Sequence, residues 1–155
     1  MILVDFNQIA IGSVMVSLHR GEELSEQLVH HIILNQLRYY RQKFHDEYGE
    51  LVICCDSKHY WRRDYFPHYK AARKKDREAT GHDRDTIFNC LHGVRDDLIE
   101  YFPYKVVETY GAEADDIIAT LCKNLGNANK VMIVSGDKDF IQLQKYPNVQ
   151  QYSPI

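Results

Sequence analysis

The chain has 155 residues and a net charge of −3 at pH 7. A length of this order fits one domain, and folding buries roughly 70% of the surface of such a chain, so no disulfide or structural metal is needed for stability. The four cysteines show no C-x-x-C spacing, and no apolar stretch approaches the length of a membrane span or a signal h-region. We therefore expect a single domain over residues 1–155, with reduced thiols and no zinc site, in a soluble cytoplasmic protein that has no membrane partner.

The charge is unevenly spread along the chain. Residues 58–77, here called the basic segment, hold eight basic and two acidic side chains and so carry +6, which leaves −9 on the remainder. This asymmetry suits a polyanionic partner, because the basic segment attracts a phosphate backbone while metal ions in an acidic pocket neutralise the phosphate chosen for chemistry. The basic residues are Lys58, Arg62, Arg63, Lys70, Arg73, Lys74, Lys75 and Arg77.

The predicted elements alternate between strands and helices in chain order. A strand over 1–6 leads into a short helix over 8–18 and a long amphipathic helix over 25–48, for which Ser25 is the N-cap. The long helix has Leu28, Ile32, Leu37 and Phe44 among its apolar face and ends at Gly49. A second strand follows over 51–55.

The second half of the chain continues the alternation after a break. Periodicity is weak between residues 56 and 86, and we expect residues 74–84 to be mobile without a ligand. A helix over 85–101 with apolar residues at helical spacing, a strand over 104–107 and a helix over 112–125 come next. A strand over 131–134 and a short helix over 139–144 close the pattern. Such alternation predicts an α/β fold with a mostly parallel central sheet.

Acidic residues stand at the ends of three apolar strands. Asp5 and Asp56 follow the first two, and Asp137 and Asp139 follow the strand over 131–134. Ligands of open α/β sheets bind beyond the carboxyl ends of the strands, so these carboxylates should converge, and a hard divalent cation would relieve their repulsion.

A fourth acidic cluster, Glu113, Asp115 and Asp116, would lie in the first turn of the helix over 112–125. Each of these acids also has an ordinary structural interpretation as a helix cap, a turn former or a first-turn acid favoured by the helix dipole. Their joint occurrence at strand and helix ends favours the metal site.

Aromatic and basic residues alternate in the basic segment, from Tyr60-Trp61-Arg62-Arg63 to Tyr69-Lys70 and beyond. Side chains interleaved in this way stack on bases and pair with phosphates, as single-stranded nucleic acid requires. The alternative is a solvated charged face with Trp61 in the core.

Six motifs, in order, resemble the 5′ nuclease (flap endonuclease) family, and within it the phage ribonucleases H. The resemblance implies a three-layer PIN-like catalytic domain with a basic arch at about residues 60–85, and it covers essentially the whole chain. The motifs lie at 4–10, 60–64, 69–70, 113–116 (E-A-D-D), 136–140 (G-D-K-D-F) and 145–149.

The resemblance also implies roles for individual residues. Lys70 and Arg73 would approach the scissile phosphate as catalytic residues, and Asp116 would act on a metal through water. Two Mg²⁺ ions, for which Mn²⁺ can substitute, would be held by the remaining acids. The first ion would take Asp5, Asp56, Glu113 and Asp115, and the second Asp115, Asp137 and Asp139. Nucleic acid would contact Arg62, Arg63, Tyr69, Lys70, Arg73, Lys74 and Lys75.

Members of this family continue beyond the last residues of this chain into a helix-three-turn-helix region. That region grips duplex DNA and supplies further carboxylate to the second metal, so its absence here implies a weaker second site. Three interpretations stay open: a fragment, a natural short form, or one half of a split enzyme.

The resemblance implies a magnesium-dependent 5′ to 3′ exonuclease and flap endonuclease that removes RNA primers and 5′ flaps in phage-type DNA replication. Its substrates would be DNA and RNA–DNA hybrids with free 5′ ends, its partners replisome proteins such as a single-strand binding protein, and its compartment the host cytoplasm. Two alternatives stay open. One is a PIN-like endoribonuclease, and the other is a nucleic-acid-binding subunit with weak or no cleavage.

Overall fold

A computed structural model describes residues 1–70 and 84–154. The predicted mobile segment and the candidate residues Arg73, Lys74 and Lys75 therefore lie outside the described residues, apart from Arg84 at the start of a helix. The strands are β1 (Ile2–Asp5), β2 (Leu51–Cys55), β3 (Lys105–Glu108), β4 (Val131–Val134) and β5 (Val149–Tyr152). The helices are α1 (Phe6–His19), α2 (Glu26–Tyr48), α3 (Trp61–Tyr65), α4 (Arg84–Tyr101), α5 (Ala114–Leu125) and a 3-10 helix (Lys138–Lys145).

The five strands form one sheet in the order β3-β2-β1-β4-β5, and every pairing is parallel. β1 lies at the centre, with Val4 opposite Ile53 of β2 and Val134 of β4. All carboxyl ends consequently meet at one edge. The order reverses on either side of β1, which is the position where open α/β sheets place their ligand site.

Two apolar cores cover the faces of the sheet, which confirms the predicted three-layer α/β architecture. Alternate strand residues point to opposite faces, so Ile2 and Val4 join the core formed with α1, α2 and α4, while Leu3 joins the core formed with α5 and the 3-10 helix. Strands buried on both faces explain the uninterrupted apolar runs of β1, β2 and β4.

The long helix α2 begins and ends as predicted. The Ser25 hydroxyl accepts a hydrogen bond from the Leu28 amide (3.1 Å), and Gly49 adopts a φ of 79° beyond the last turn. Its buried face lies one residue later than predicted in the first turns, because Val29 and Ile33 are buried whereas Leu28 and Ile32 are only half-buried.

Other boundaries differ from the predictions by small amounts, and one strand and the short helix α3 were not predicted. α1 extends to both sides of the predicted 8–18, α5 begins at Ala114 rather than residue 112, and β3 is shifted one residue along the chain. The missed strand is β5, whose sequence V-Q-Q-Y holds a single fully buried residue, Val149. Polar residues are tolerated there because β5 is an edge strand.

The cysteines are free thiols, as predicted. Cys54, Cys55 and Cys122 are buried in the cores and Cys90 is half-buried. Within residues 1–70 and 84–154, we find no helix whose length and apolar character would let it cross a membrane.

Candidate active site

Three carboxylates lie at the carboxyl edge of the central strands, as the sequence predicts. Asp5 is the last residue of β1 and also the N-cap of α1, Asp56 directly follows β2, and Asp137 caps the 3-10 helix that follows β4. Capping a helix and binding a metal ion are therefore compatible roles for Asp5 and Asp137. Each oxygen of a carboxylate can accept more than one bond, so a carboxylate that accepts a capping hydrogen bond can still bind a ligand.

A cleft of about 430 Å³ opens at this edge of the sheet, and we call it the acid cleft. Six of the seven acids predicted to bind metal line it together with Lys70, Tyr69 and Tyr60, whereas Asp116 is not among its lining residues. The six acids are Asp5, Asp56, Glu113, Asp115, Asp137 and Asp139.

Asp5 is the most buried carboxylate contributed by a strand end. It is 9% exposed, and it accepts hydrogen bonds from the Ser135 hydroxyl (3.0 Å) and the Gln8 amide (3.4 Å). Burial is the main reason that the pKa of Asp5 rises to about 6, and repulsion from Asp56 and Asp137 raises the pKa further. A carboxyl group with this pKa lies among other negative charges, as expected where a cation binds.

Asp56 is oriented by two donors. The Asn7 side-chain amide donates to Oδ2 (2.8 Å), and the backbone amide of Ala114 donates to Oδ1 (2.7 Å). The second bond connects the end of β2 to the first turn of α5. Asn7, like Ser135, is a supporting residue that the sequence reasoning missed, and in both cases the signal would have been a polar residue beside a predicted strand-end acid.

Glu113 is almost completely buried and is surrounded by donors from the basic segment. Arg62 Nη1 donates to Oε2 (2.8 Å), the Tyr69 hydroxyl donates to the same oxygen (3.1 Å), and Lys70 Nζ donates to Oε1 (2.5 Å). Glu113 is only 1% exposed. A buried carboxylate requires this degree of neutralisation, because an unpaired charge in the interior is costly.

Asp116 forms a bidentate pair with Arg62. Arg62 Nη1 and Nη2 reach its two oxygens at 2.7 and 2.8 Å, and the Trp61 indole donates to Oδ2 (3.1 Å). Burial alone would raise the pKa of Asp116, but the hydrogen bonds from Arg62, the Glu113 amide and Trp61 lower it below its ordinary value. Asp116 therefore stays ionised, and its charge raises the pKa of Arg62 in turn.

Asp115 is the acid of this cluster that faces the acid cleft with less neutralisation. Arg62 Nη2 lies 3.8 Å from its Oδ2, and burial raises its pKa in spite of that guanidinium. Carboxylate oxygens of Glu113, Asp115 and Asp116 lie within 4.8 Å of one another, a spacing that could hold a metal ion.

The loop after β4 holds the second pair of acids. The Asp139 amide donates to Asp137 Oδ1 (2.9 Å), and the Gln151 side chain donates to the Asp137 carbonyl (2.7 Å). Gly136 in this loop lies close to Gln8, and a Cβ at that position would be 3.0 Å from the Gln8 side-chain nitrogen, so a larger residue would have to displace Gln8. Gln8 in turn accepts from the Gly136 amide (3.2 Å).

The described residues that were predicted to contact nucleic acid lie in two different places. Arg62, Tyr69 and Lys70 lie against the acids, whereas the Arg63 guanidinium lies over the Tyr60 ring, 4.5 Å from its centroid. Contact of these residues with nucleic acid stays a prediction. The alternative that places Trp61 in the core is wrong, since 47% of that residue is exposed.

One feature beside the acid cleft was missed by sequence reasoning. The His59 and Tyr110 rings are stacked, with centroids 5.4 Å apart and planes 14° apart, although the two residues are distant in sequence. No sequence pattern signals this contact. It depends on a backbone bridge between Tyr60 and Gly111 that joins the loop after β2 to the loop after β3.

The parallel sheet with acids at its carboxyl edge defines an α/β domain with a candidate ligand site, and sequence comparison identifies its family. Residues 16–153 match the family described as "5'-3' exonuclease, N-terminal resolvase-like domain", and the chain belongs to this family. The resemblance predicted from the six motifs is thereby confirmed.

Two curated relatives show the degree of similarity. Ribonuclease H of Enterobacteria phage T4 is 40% identical over an alignment of 157 positions, which covers 99% of this chain and 52% of that protein. A flap endonuclease Xni of Shewanella pealeana is 37% identical over 91 residues, 58% of this chain and 32% of its own length. The chain thus spans about half the length of the T4 protein and less of the other.

Solved structures of the phage T5 enzyme share the fold. A T5 5′-exonuclease with bound zinc superimposes with a TM-score of 0.73 at 17% identity, covering 99% of this chain and 55% of that one. A T5 flap endonuclease in a complex with DNA and metal ions gives a TM-score of 0.73 at 16% identity, covering 99% and 54%.

Proposed function

We propose that this chain is the catalytic domain of a metal-dependent 5′ nuclease that removes RNA primers and 5′ flaps in phage-type DNA replication by phosphodiester hydrolysis. The observation that carries the proposal is the acid cleft, where six carboxylates from four separate elements meet Lys70 at the carboxyl edge of the sheet. Family membership supports the same activity. The substrates proposed are DNA and RNA–DNA hybrids with free 5′ ends.

The donors of the acid cleft fit a hard divalent cation. They are all oxygens, and they come mostly from aspartates. Burial raises the pKa of Asp5, and the neighbouring Asp56 and Asp137 raise it further. Oxygen donors of this kind suit Mg²⁺ and Mn²⁺ better than softer metals. Asp5, Asp56, Glu113 and Asp115 would hold one ion, and Asp115, Asp137 and Asp139 a second. Bound cations would lower the pKa of the attacking water and neutralise charge on the phosphate.

The residues of this chain contribute positioning and charge. Asn7 and the Ala114 amide fix the orientation of Asp56, and Ser135 fixes that of Asp5. Lys70 lines the acid cleft, where its ammonium group donates to Glu113, and it is proposed to contact a phosphate bound in the cleft. An ammonium group in that position would stabilise the negative charge that develops on the phosphate oxygens. Arg73 is proposed to assist Lys70.

The substitution Asp137→Asn tests the proposal. Asparagine caps helices about as well as aspartate, so the hydrogen bond from the Asp139 amide and the fold should be retained. We expect cleavage of a 5′-flap substrate in Mg²⁺ to fall at least roughly 100-fold, because a charged ligand is lost where charge develops in the transition state. Asp46→Asn, at an exposed position on α2, is the matched control and should cleave like the parent.

Three results would contradict parts of the proposal. Equal cleavage by Asp137→Asn and the parent would refute the metal assignment. Internal cutting of single-stranded RNA without need for a free 5′ end would favour the endoribonuclease. Tight binding of branched DNA by the parent with no cleavage in Mg²⁺ or Mn²⁺ would favour a binding subunit.

A further inference from the structure

His59 and Tyr110 form a stacked aromatic pair on the loops after β2 and β3. Tyr110 is 84% exposed, so one face of its ring lies on His59 while the other faces solvent. The planes of the two rings are nearly parallel, 14° apart, as are the planes of stacked nucleic-acid bases. The Trp61–Tyr65 pair of α3, by contrast, meets edge to face at 79° and is not stacked.

The loop that carries Tyr110 is fixed on both sides. The Trp61 amide donates to the Gly111 carbonyl (2.8 Å), the Ser57 amide donates to the Ala112 carbonyl (3.0 Å), and Gly111 has a φ of 83° that favours glycine. His59 is held from its other side, since Nε2 lies 3.1 Å from Asp64 Oδ2. An aromatic ring presented rigidly loses little entropy when a ligand binds.

The charges around the pair favour a phosphate-bearing ligand. Lys58 is exposed and directly precedes His59, and the Arg63 guanidinium lies over the neighbouring Tyr60 ring. Of the nearby acids, Asp64 contacts His59 and Glu108 is paired with Arg95 (2.9 Å). Cations beside a bare aromatic face are the combination with which proteins bind single-stranded nucleic acid.

We propose that the ring of Tyr110, supported by His59, stacks on an unpaired base of a single strand whose phosphate lies at the acid cleft. This inference rests on the proposed function and adds to it a base-stacking subsite on the loops after β2 and β3. Tyr60 connects the two sites, because it lines the acid cleft and its backbone is bridged to Gly111, the residue next to Tyr110.

Fluorescence anisotropy with a labelled single-stranded oligonucleotide in EDTA tests the subsite without cleavage. We expect Tyr110→Ala to weaken binding roughly 5- to 100-fold, the range found when a stacking residue is truncated. Tyr110→Phe should bind like the parent, since the ring is retained. The matched control is Tyr101→Ala, because Tyr101 is also 70% exposed but precedes β3 and so lies at the opposite edge of the sheet from Tyr110.

Two further measurements separate stacking from backbone contact. With an abasic oligonucleotide of the same length, the difference between Tyr110→Ala and the parent should disappear. Tyr110→Ala should also leave the salt dependence of binding unchanged, whereas Arg63→Gln should reduce the slope by about one phosphate contact.

Equal affinity of Tyr110→Ala and the parent for the base-containing oligonucleotide would overturn the subsite and leave this surface to a protein partner. A loss of affinity that persists with the abasic strand would also overturn it. Cleavage by the parent in Mg²⁺ is measured separately. A parent that cleaves while Tyr110→Ala binds normally refutes the subsite alone, and a parent that never cleaves refutes the proposed function.

Discussion

Arg62 is the residue whose removal should disturb the acid cleft most in the absence of metal. It donates three hydrogen bonds of 2.7 to 2.8 Å to Glu113 and Asp116, and its side chain is 24% exposed. Removing one partner of a buried ion pair costs about 3 to 5 kcal/mol. Lys70 still neutralises Glu113, and Asp116 can be reached by water, so we expect Arg62→Met to lower the free energy of unfolding by about 2 to 3 kcal/mol in EDTA.

Divalent metal should reduce that loss. If a cation binds among the same acids, it supplies positive charge that Arg62→Met lacks, and binding to the folded state alone stabilises by about 2.7 kcal/mol at a ligand concentration of 100 times Kd. The variant should gain more from metal than the parent. We expect the difference between them to shrink by about 1 kcal/mol or more in saturating Mg²⁺. Urea denaturation followed by circular dichroism, with and without Mg²⁺, measures both quantities.

Arg63→Met is the matched control, because Arg63 lies on the Tyr60 ring and should change stability by no more than about 0.5 kcal/mol with or without metal. Equal stability of Arg62→Met and Arg63→Met in EDTA would refute the argument that Arg62 stabilises the acids. A loss for Arg62→Met that is the same in EDTA and in Mg²⁺ would refute the argument that metal and Arg62 neutralise the same charges.

Two further predictions concern charge in the acid cleft. The pKa of Asp5 is raised to about 6, so the folded state retains a proton that the unfolded state releases near pH 4, and stability falls as pH rises between these values. Asp5→Asn should therefore be more stable than the parent by about 1 to 3 kcal/mol at pH 7.5 in EDTA and equal to it near pH 4, and a variant that is less stable at pH 7.5 would contradict this. Lys70→Met should bind Mg²⁺ roughly 3- to 10-fold more tightly by calorimetry, because the ammonium group no longer occupies Glu113 Oε1, whereas Arg63→Met should bind as the parent does. Weaker binding by Lys70→Met would show that Lys70 supports the metal site rather than competing for it.

The sequence predicts the centre of the fold better than its edge. β1, β2 and β4 are buried on both faces, so their apolar runs identify them, and Ser25 and Gly49 identify the limits of α2 through capping alone. β5 escapes such a prediction because an edge strand needs only part of its residues in the core. In the first turns of α2 the buried face also escapes it, since several apolar residues compete and tertiary packing decides which are covered. Further along the helix, Leu37 and Phe44 are buried as predicted.

In the candidate site, too, some features can be predicted from the sequence and others cannot. Acids at strand ends are predictable, because parallel strands bring their carboxyl ends to one edge whatever the loops do. The counter-ion of each acid is not predictable. The Tyr60–Gly111 bridge joins the start of α3 to the loop that precedes α5, and from α3 Arg62 reaches Glu113 and Asp116, which are distant in sequence. His59 meets Tyr110 through that same bridge.

The contacts of the acids suggest an order of events for metal binding. Asp5, Asp56 and Asp137 accept hydrogen bonds from neutral donors, which leave their charge uncompensated, whereas Glu113 is already neutralised by Arg62 and Lys70. If the first cation takes Glu113 as a ligand, it must compete with the ammonium group at Oε1. A cation bound at Glu113 would then free the Lys70 ammonium group to contact a phosphate in the cleft. The same lysine would serve as counter-ion in the empty cleft and as a phosphate contact in the loaded one, which is why its removal should improve metal affinity and impair cleavage together.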